Sequence, residues 1–281
     1  MILVENKQFD EERALYHLED AVVKNVTFAG EADGESALKE GRRLTVEGCH
    51  FALRYPLWHT TDFSVCDSEL SETARAGFWY NRHGVLSGCR LLGVKALREC
   101  EDVTLDNCEA VSPEFGWRCR GLSLSHCSVT GEYAFFESEN VTASDLDFHG
   151  KYSFQYVKNL KLDRCSLDTK DAFWHVKDAV ITDCVIRGEY LGWYSENVTF
   201  IRCRIIGTQP LCYCRGLTLI DCVMEDADLA FEYSEVEADI KSAVVSVKNP
   251  KTGHITADRI GSVILGDSVY PCECEIHTRE A

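Results

Sequence analysis

From Val103 to Leu219 the apolar residues fall into columns that recur every 19 residues. One column reads Val103, Leu122, Val141, Leu160, Ala179, Val198 and Leu217. A second, two residues later, reads Leu105, Leu124, Ala143, Leu162, Ile181, Phe200 and Leu219. Cysteine fills the next, at Cys89, Cys108, Cys127, Cys165, Cys184, Cys203 and Cys222, with Leu146 in the one gap. Two residues beyond each cysteine stands Leu91, Ala110, Val129, Phe148, Leu167, Ile186, Ile205 or Met224. Thr, Ser, Lys, Asp and Arg fill the positions between, which is the period-two pattern of strands with one buried face. The alternation skips a beat just before each cysteine, at pairs such as Asp163-Arg164 and Thr182-Asp183, marking a corner.

Two further corners close the unit. Six residues before the cysteine come Asp102, Gly121, Asn140, Asn159, Asp178, Asn197 and Gly216, types that tolerate left-handed or turn geometry. Four after it come Gly93, Ser112, Gly131, Gly150, Thr169, Gly188 and Gly207. Three short strands and three corners in 19 residues leave no room for helix. A fixed period of this kind means a solenoid of stacked identical units. The expected fold is all-β, a single-stranded parallel β-helix with rungs about 4.8 Å apart. Right-handed crossovers are the rule between parallel strands, and the three sides differ in pattern, so the right-handed form is expected.

Outside the regular rungs the pattern loosens. Phe9, Ala14, Leu15 and Leu18 among charges suit a short amphipathic helix, so residues 1–21 are expected as an N-terminal cap. The β-helix is expected over residues 22–247, with closing strands and a loose polar tail over 248–281, all in one domain. Cys49, Cys66 and Cys89 are spaced 17 and 23, as if a corner gained or lost residues. Val236, Ala238 and Ile240, then Val244, Val245 and Val247, suggest shorter closing strands.

Composition narrows the function classes. A net charge of −17 argues against a nucleic-acid partner, which needs a concentrated positive footprint, and against docking on anionic membranes. No run approaches the roughly 20 apolar residues of a membrane span. Fifteen cysteines would suggest a disulfide framework, but seven of them form one internal column, where free Cys acts as a small buried hydrophobe. No signal peptide is visible after Met1, and a reducing cytoplasm is the expected location. The C-x-C pairs Cys212-Tyr213-Cys214 and Cys272-Glu273-Cys274 lack zinc-knuckle spacing, so neither metal nor other cofactor is expected. Sequons at Asn25, Asn140 and Asn197 recur because a turn asparagine precedes a Val-Thr strand.

The third side of the rung carries the candidate chemistry. Ten before the cysteine stand Trp79, Arg98, Trp117, Phe136, Gln155, Trp174, Trp193, Cys212 and, by extrapolation, Phe231. Nine before it stand Tyr80, Glu99, Arg118, Glu137, Tyr156, His175, Tyr194, Tyr213 and, by the same extrapolation, Glu232. Thirteen before it stand Lys95, Glu114, Tyr133, Tyr152, Asp171, Tyr190, Gln209 and Asp228. Between them runs an apolar row of Phe78, Leu97, Gly116, Phe135, Phe154, Phe173, Gly192 and Leu211. Strict alternation exposes that row, whereas a bulge buries it and exposes the tryptophans; the composition does not choose between them.

Aromatics mixed with hydrogen-bonding groups suit an elongated, saccharide-like ligand. The candidate binding residues are Lys95, Glu99, Glu114, Arg118, Glu137, Tyr152, Tyr156, Asp171, His175, Tyr190, Tyr194, Tyr213 and Glu232. Glu99, Arg118 and Glu137 are expected to stack as a charge ladder, with Arg98 sandwiched between Trp79 and Trp117. No catalytic constellation is recognisable: Glu99 and Glu137 are two rungs apart with Arg118 between them, and Asp171 is too far along the strand from His175 for contact. His175 between tyrosines is the one candidate general acid or base. An enzyme built this way would be a carbohydrate-active hydrolase, lyase or isomerase. The alternative is a non-catalytic scaffold that meets another protein or a second copy of itself.

Phe-Asp-Glu-Glu-Arg-Ala-Leu-Tyr (9–16), Gly-Glu-Ser-Ala-Leu-Lys-Glu (34–40), Arg-Tyr-Pro-Leu-Trp-His (54–59), Lys-Asp-Ala-Phe-Trp-His (170–175) and Gly-Glu-Tyr-Leu-Gly-Trp-Tyr (188–194) together carry a resemblance. So do Ala-Arg-Ala-Gly-Phe-Trp-Tyr (74–80), Gln-Pro-Leu-Cys-Tyr (209–213), Asp-Leu-Ala-Phe-Glu-Tyr-Ser (228–234) and Ser-Val-Lys-Asn-Pro (246–250). They resemble one bacterial family of unknown function, over nearly the whole chain, with Glu11 where its first motif has glycine. The resemblance implies a pectate-lyase-like right-handed β-helix and no reaction. Pectin hydrolases carry an Asp-Asp pair, and this chain has none.

Overall fold

The computed structural model describes residues 1–279 and divides into two compact units, Met1–Thr142 and Ala143–Ala281. Each is a parallel β-helix. In the first, Ile2–Glu5, Glu19–Lys24, Arg42–Glu47, Thr61–Cys66, Arg82–Ser87, Glu101–Asp106 and Arg120–Ser125 pair in parallel, rung on rung. Shorter strands, among them His50–Phe51, Glu69–Leu70 and Arg90–Leu91, make the second side. Leu57–Trp58, Phe78–Trp79 and Leu97–Arg98 make a third. In the second unit Lys158–Asp163, Lys177–Thr182, Glu196–Ile201 and Arg215–Glu225 repeat the first side. Among the described residues the only helix is a three-residue 3-10 turn at Glu72–Ala74, and no helix is long and apolar enough to cross a membrane.

Stacking like on like explains the period. Leu160, Ala179, Val198 and Leu217 share one register line and are buried, as are Leu162, Ile181, Phe200 and Leu219. Each buried aliphatic side chain contributes about 1.5–3 kcal/mol. The thiols of Cys89, Cys108, Cys127, Cys165, Cys184, Cys203 and Cys222 point inward and are buried. Their S–H groups have backbone carbonyls in reach, Cys203 Sγ lying 3.3 Å from the oxygen of Ile181 one rung away.

The corners are left-handed where the sequence places turn residues. Asp178 (φ 59°), Asn197 (φ 53°) and Gly216 (φ 62°) stack at one corner, and Asn197 Nδ2 donates to Asp178 Oδ1 at 3.0 Å. The residue before each cysteine is left-handed too, at Arg164, Asp183 and Arg202. There Arg202 forms a two-pronged pair with Asp183, both contacts at 2.7 Å.

Four expectations are corrected. No helix forms over residues 1–20; Ile2–Glu5 and Gln8–Phe9 are strands paired with Glu19–Lys24 and Thr27–Phe28, because the parallel edge of the next rung outweighs a weak helical pattern. Cys66 is not in the thiol column. Ser68 stands over Cys49, donating to the Cys66 carbonyl at 2.8 Å and accepting from the Cys49 N–H, so the rung steps are 19 and then 21. The closing strands are long, Glu235–Lys248 and Thr252–Ile264, since register shifts let one strand run through the corner. The tail is not loose: Glu275–Thr278 pairs with His254–Ala257, and Arg279 Nη1 meets Asp258 Oδ1 at 2.9 Å.

Candidate functional site

The open question of the third side is resolved by two left-handed residues per rung. Phe154 and Tyr156, Phe173 and His175, Gly192 and Tyr194, and Leu211 and Tyr213 all have φ between 58° and 73°. Alternation breaks at each, so the phenylalanine row is buried, the tryptophan row half-buried and the next row outward.

The half-buried row of the second unit is structural. Gln155 Nε2 donates to the Asp171 carbonyl at 2.9 Å, Trp174 Nε1 to Tyr190 at 2.7 Å and Trp193 Nε1 to Gln209 at 2.8 Å. Each side chain satisfies a carbonyl 16 residues on, in the next rung, which explains why glutamine shares a column with tryptophan. Trp174 and Trp193 also stack, 5.3 Å apart at 5°.

The outward row is a ring ladder. Tyr156 lies 4.7 Å from His175, His175 5.1 Å from Tyr194 and Tyr194 4.8 Å from Tyr213, all within 12° of parallel. The rings cover one another's faces and turn their edges outward. Tyr213 Oη donates to Glu232 Oε2 at 3.3 Å, and burial followed by that carboxylate pushes its phenol up to about 12. Extrapolation misplaced the next rung: its step is 20, so Tyr233 rather than Glu232 stands over Tyr213, 5.9 Å away and tilted. Glu232 pairs with Lys248 at 3.0 Å.

Burial, then the nearby Lys177 charge, lowers the His175 pKa and favours a neutral imidazole. Asp171 is mostly buried, and burial raises its pKa. No hydrogen bond joins Asp171 to His175 among the described residues. Tyr152 and Asp171 sit left-handed at the same corner in successive rungs, and Tyr190 packs edge-on to Trp193 at 5.5 Å.

In the first unit the outward row changes chemistry along its length. His59 stacks on Tyr80 at 5.0 Å beside the stacked pair Trp58 and Trp79 at 5.4 Å. Glu99 raises the Tyr80 pKa by hydrogen bonding, and its Oε1 lies 3.3 Å from Arg98 Nε. Arg118 Nε donates to Glu137 Oε2 at 2.7 Å. The expected ladder of Glu99, Arg118 and Glu137 therefore closes only between its last two members, because Arg98 captures Glu99. Arg98 sits 5.5 Å from the Trp117 ring, so the expected sandwich is one-sided. Glu114 Oε2 lies 3.5 Å from both Lys95 Nζ and Arg98 Nη1. His59, Thr61, Tyr80, Arg82, Glu99 and Glu101 line a polar concavity of about 370 Å³. Sequence reasoning missed Trp58 and His59 because a step of 21, not 19, relates them to Trp79 and Tyr80; the repeated Trp-aromatic dipeptide was the available signal.

Fold and site together define a parallel β-helix with one laddered lateral side. The chain belongs to the family described as "Protein of unknown function (DUF3737)", whose model matches residues 2–277. No curated protein matches the chain. Among solved structures it is similar to PfbA, a surface adhesin of Streptococcus pneumoniae, with 8% identity, 83% of this chain and 72% of that chain covered, and a TM-score of 0.42. It is also similar to the catalytic domain of an alpha-1,3-glucanase in complex with nigerose, at 10% identity, 100% and 63% coverage and a TM-score of 0.36. The A-module of an Azotobacter vinelandii mannuronan C-5 epimerase follows at 11%, 96%, 88% and 0.32.

Proposed function

We propose that the second unit binds an extended, saccharide-like ligand along Tyr156, His175, Tyr194 and Tyr213, without catalysing a reaction on it. The observation that carries this reading is the ring ladder, whose members stack face to face about one rung apart along an outward row. Tyr156 and Tyr194 are nearly half exposed. Because the faces are already stacked, recognition runs through hydroxyls and imidazole nitrogens, which suit the hydroxyl-rich edge of a glycan. The tryptophan row behind is committed to backbone carbonyls and serves as support. A reducing compartment is part of the proposal, since free thiols stacked one rung apart would be exposed to cross-linking while an oxidising environment folded the chain.

Intrinsic fluorescence from Trp174 and Trp193, read across a panel of neutral oligosaccharides, tests the reading. A binding glycan should shift the emission, and Tyr194→Phe, which keeps the stack but removes the hydroxyl, should weaken it up to about tenfold. If no glycan moves the emission, or the phenylalanine variant binds as well as the parent, the reading fails. A tight dimer that buries Tyr156 and Tyr194 would support the scaffold alternative instead.

A further inference from the structure

The first unit contains a second concavity, of about 280 Å³, on the other flank of the Trp79–Tyr80 pair. Tyr55, Trp79, Ala76 and Val94 make an aromatic and apolar wall, and Arg75, Lys95 and Arg98 supply the charge. No carboxylate is among its lining residues, in a chain whose net charge is −17. The polar groups of the lining other than Tyr55 are pure donors.

Two of those donors make no hydrogen bond, and one of the three cations has no acid beside it. Trp117, Trp174 and Trp193 each donate to the carbonyl 16 residues on, whereas the stacked pair Trp58 and Trp79 both have a buried Nε1 with no hydrogen-bond partner. Arg98 Nη1 and Glu114 Oε2 are both buried without a hydrogen bond and form an ion pair at 3.5 Å, and the same carboxylate oxygen lies 3.5 Å from Lys95 Nζ. Exposed Arg75 takes part in no ion pair among the described residues. Guanidinium forks match planar carboxylates, and the flat Tyr55 and Trp79 rings suit an organic body more than a bare inorganic ion.

We infer that this concavity is a binding site for a small organic carboxylate of sugar-acid type, held by Arg75, Lys95 and Arg98 against Tyr55 and Trp79. It is independent of the ladder in the second unit and takes the opposite chemistry, an anion where the ladder takes neutral hydroxyls.

Calorimetric titration of the full chain with glucuronate, glucose, acetate and inorganic phosphate tests it. Glucuronate should bind at least tenfold more tightly than glucose, acetate and phosphate. Arg75→Gln, an exposed change that leaves the core intact, should weaken glucuronate at least tenfold, and Lys95→Gln provides a second variant should the first misfold. Tyr194→Phe in the ladder should leave glucuronate affinity unchanged, so this site and the ladder fail separately. Equal binding of glucose and glucuronate, phosphate binding as tight as glucuronate, or no heat from glucuronate at all would each overturn the inference.

Discussion

Phe173→Ala lowers the free energy of unfolding by about 3–5 kcal/mol, the range for emptying a well-packed aromatic site. Phe173 is 1% exposed, and its ring lies 5.3 Å from that of Phe154. Rungs above and below are tied by backbone hydrogen bonds, so neighbours have little freedom to collapse into the space. Its backbone is left-handed, at φ 63°, and alanine gains nothing there to offset the loss. Urea denaturation should show a lower midpoint with the slope unchanged. A loss under about 1 kcal/mol would mean that the phenylalanine row is not the core of the third side.

Gly188→Ala is the second large effect. Gly188 holds φ 149°, and an added Cβ would sit 1.8 Å from the Thr169 carbonyl oxygen and 2.5 Å from its carbon. That carbonyl belongs to the strand Ser166–Lys170 and cannot swing away without breaking its rung. Backbone strain alone costs about 1–3 kcal/mol, and the clash adds to it. Gly207 repeats the arrangement one rung on, where an added Cβ would sit 2.1 Å from the oxygen of Gly188, so a distortion at one would pass to the next. Gly266→Ala makes the control, because nothing lies within 4 Å of its added Cβ. Thermal melts should separate the two by several degrees; equal melting temperatures would contradict the close approach of backbones at this corner.

Both effects come from the feature that made the fold readable. A parallel β-helix stacks each position on its equivalent one rung away, so requirements for Gly188, Asn197 or Cys203 recur down the chain and show as columns. What stayed hidden falls where that translation fails. Ser68 replaces a thiol between Cys49 and Cys89, and a 21-residue step places Trp58 and His59 out of phase. The 20-residue step after Tyr213 put Glu232 where Tyr233 belongs. The third side was ambiguous for a different reason. Its two left-handed residues per rung include Phe154, Phe173, Tyr156 and Tyr194, side chains with no local preference for that geometry, so little in the residue types announced it. Sequence columns did locate the outward row, but not that its rings stack face to face, which changes what a ligand would meet.

The central claim is that the thiol column lies inside both units. Twelve of the fifteen cysteines are buried, and Cys66, Cys272 and Cys274 are partly exposed. Timed alkylation with iodoacetamide under reducing, native conditions, followed by mass mapping, reads this directly. The result expected is rapid labelling confined to those three, with the other twelve reacting only on unfolding; rapid native labelling at Cys165, Cys184 or Cys203 would contradict it.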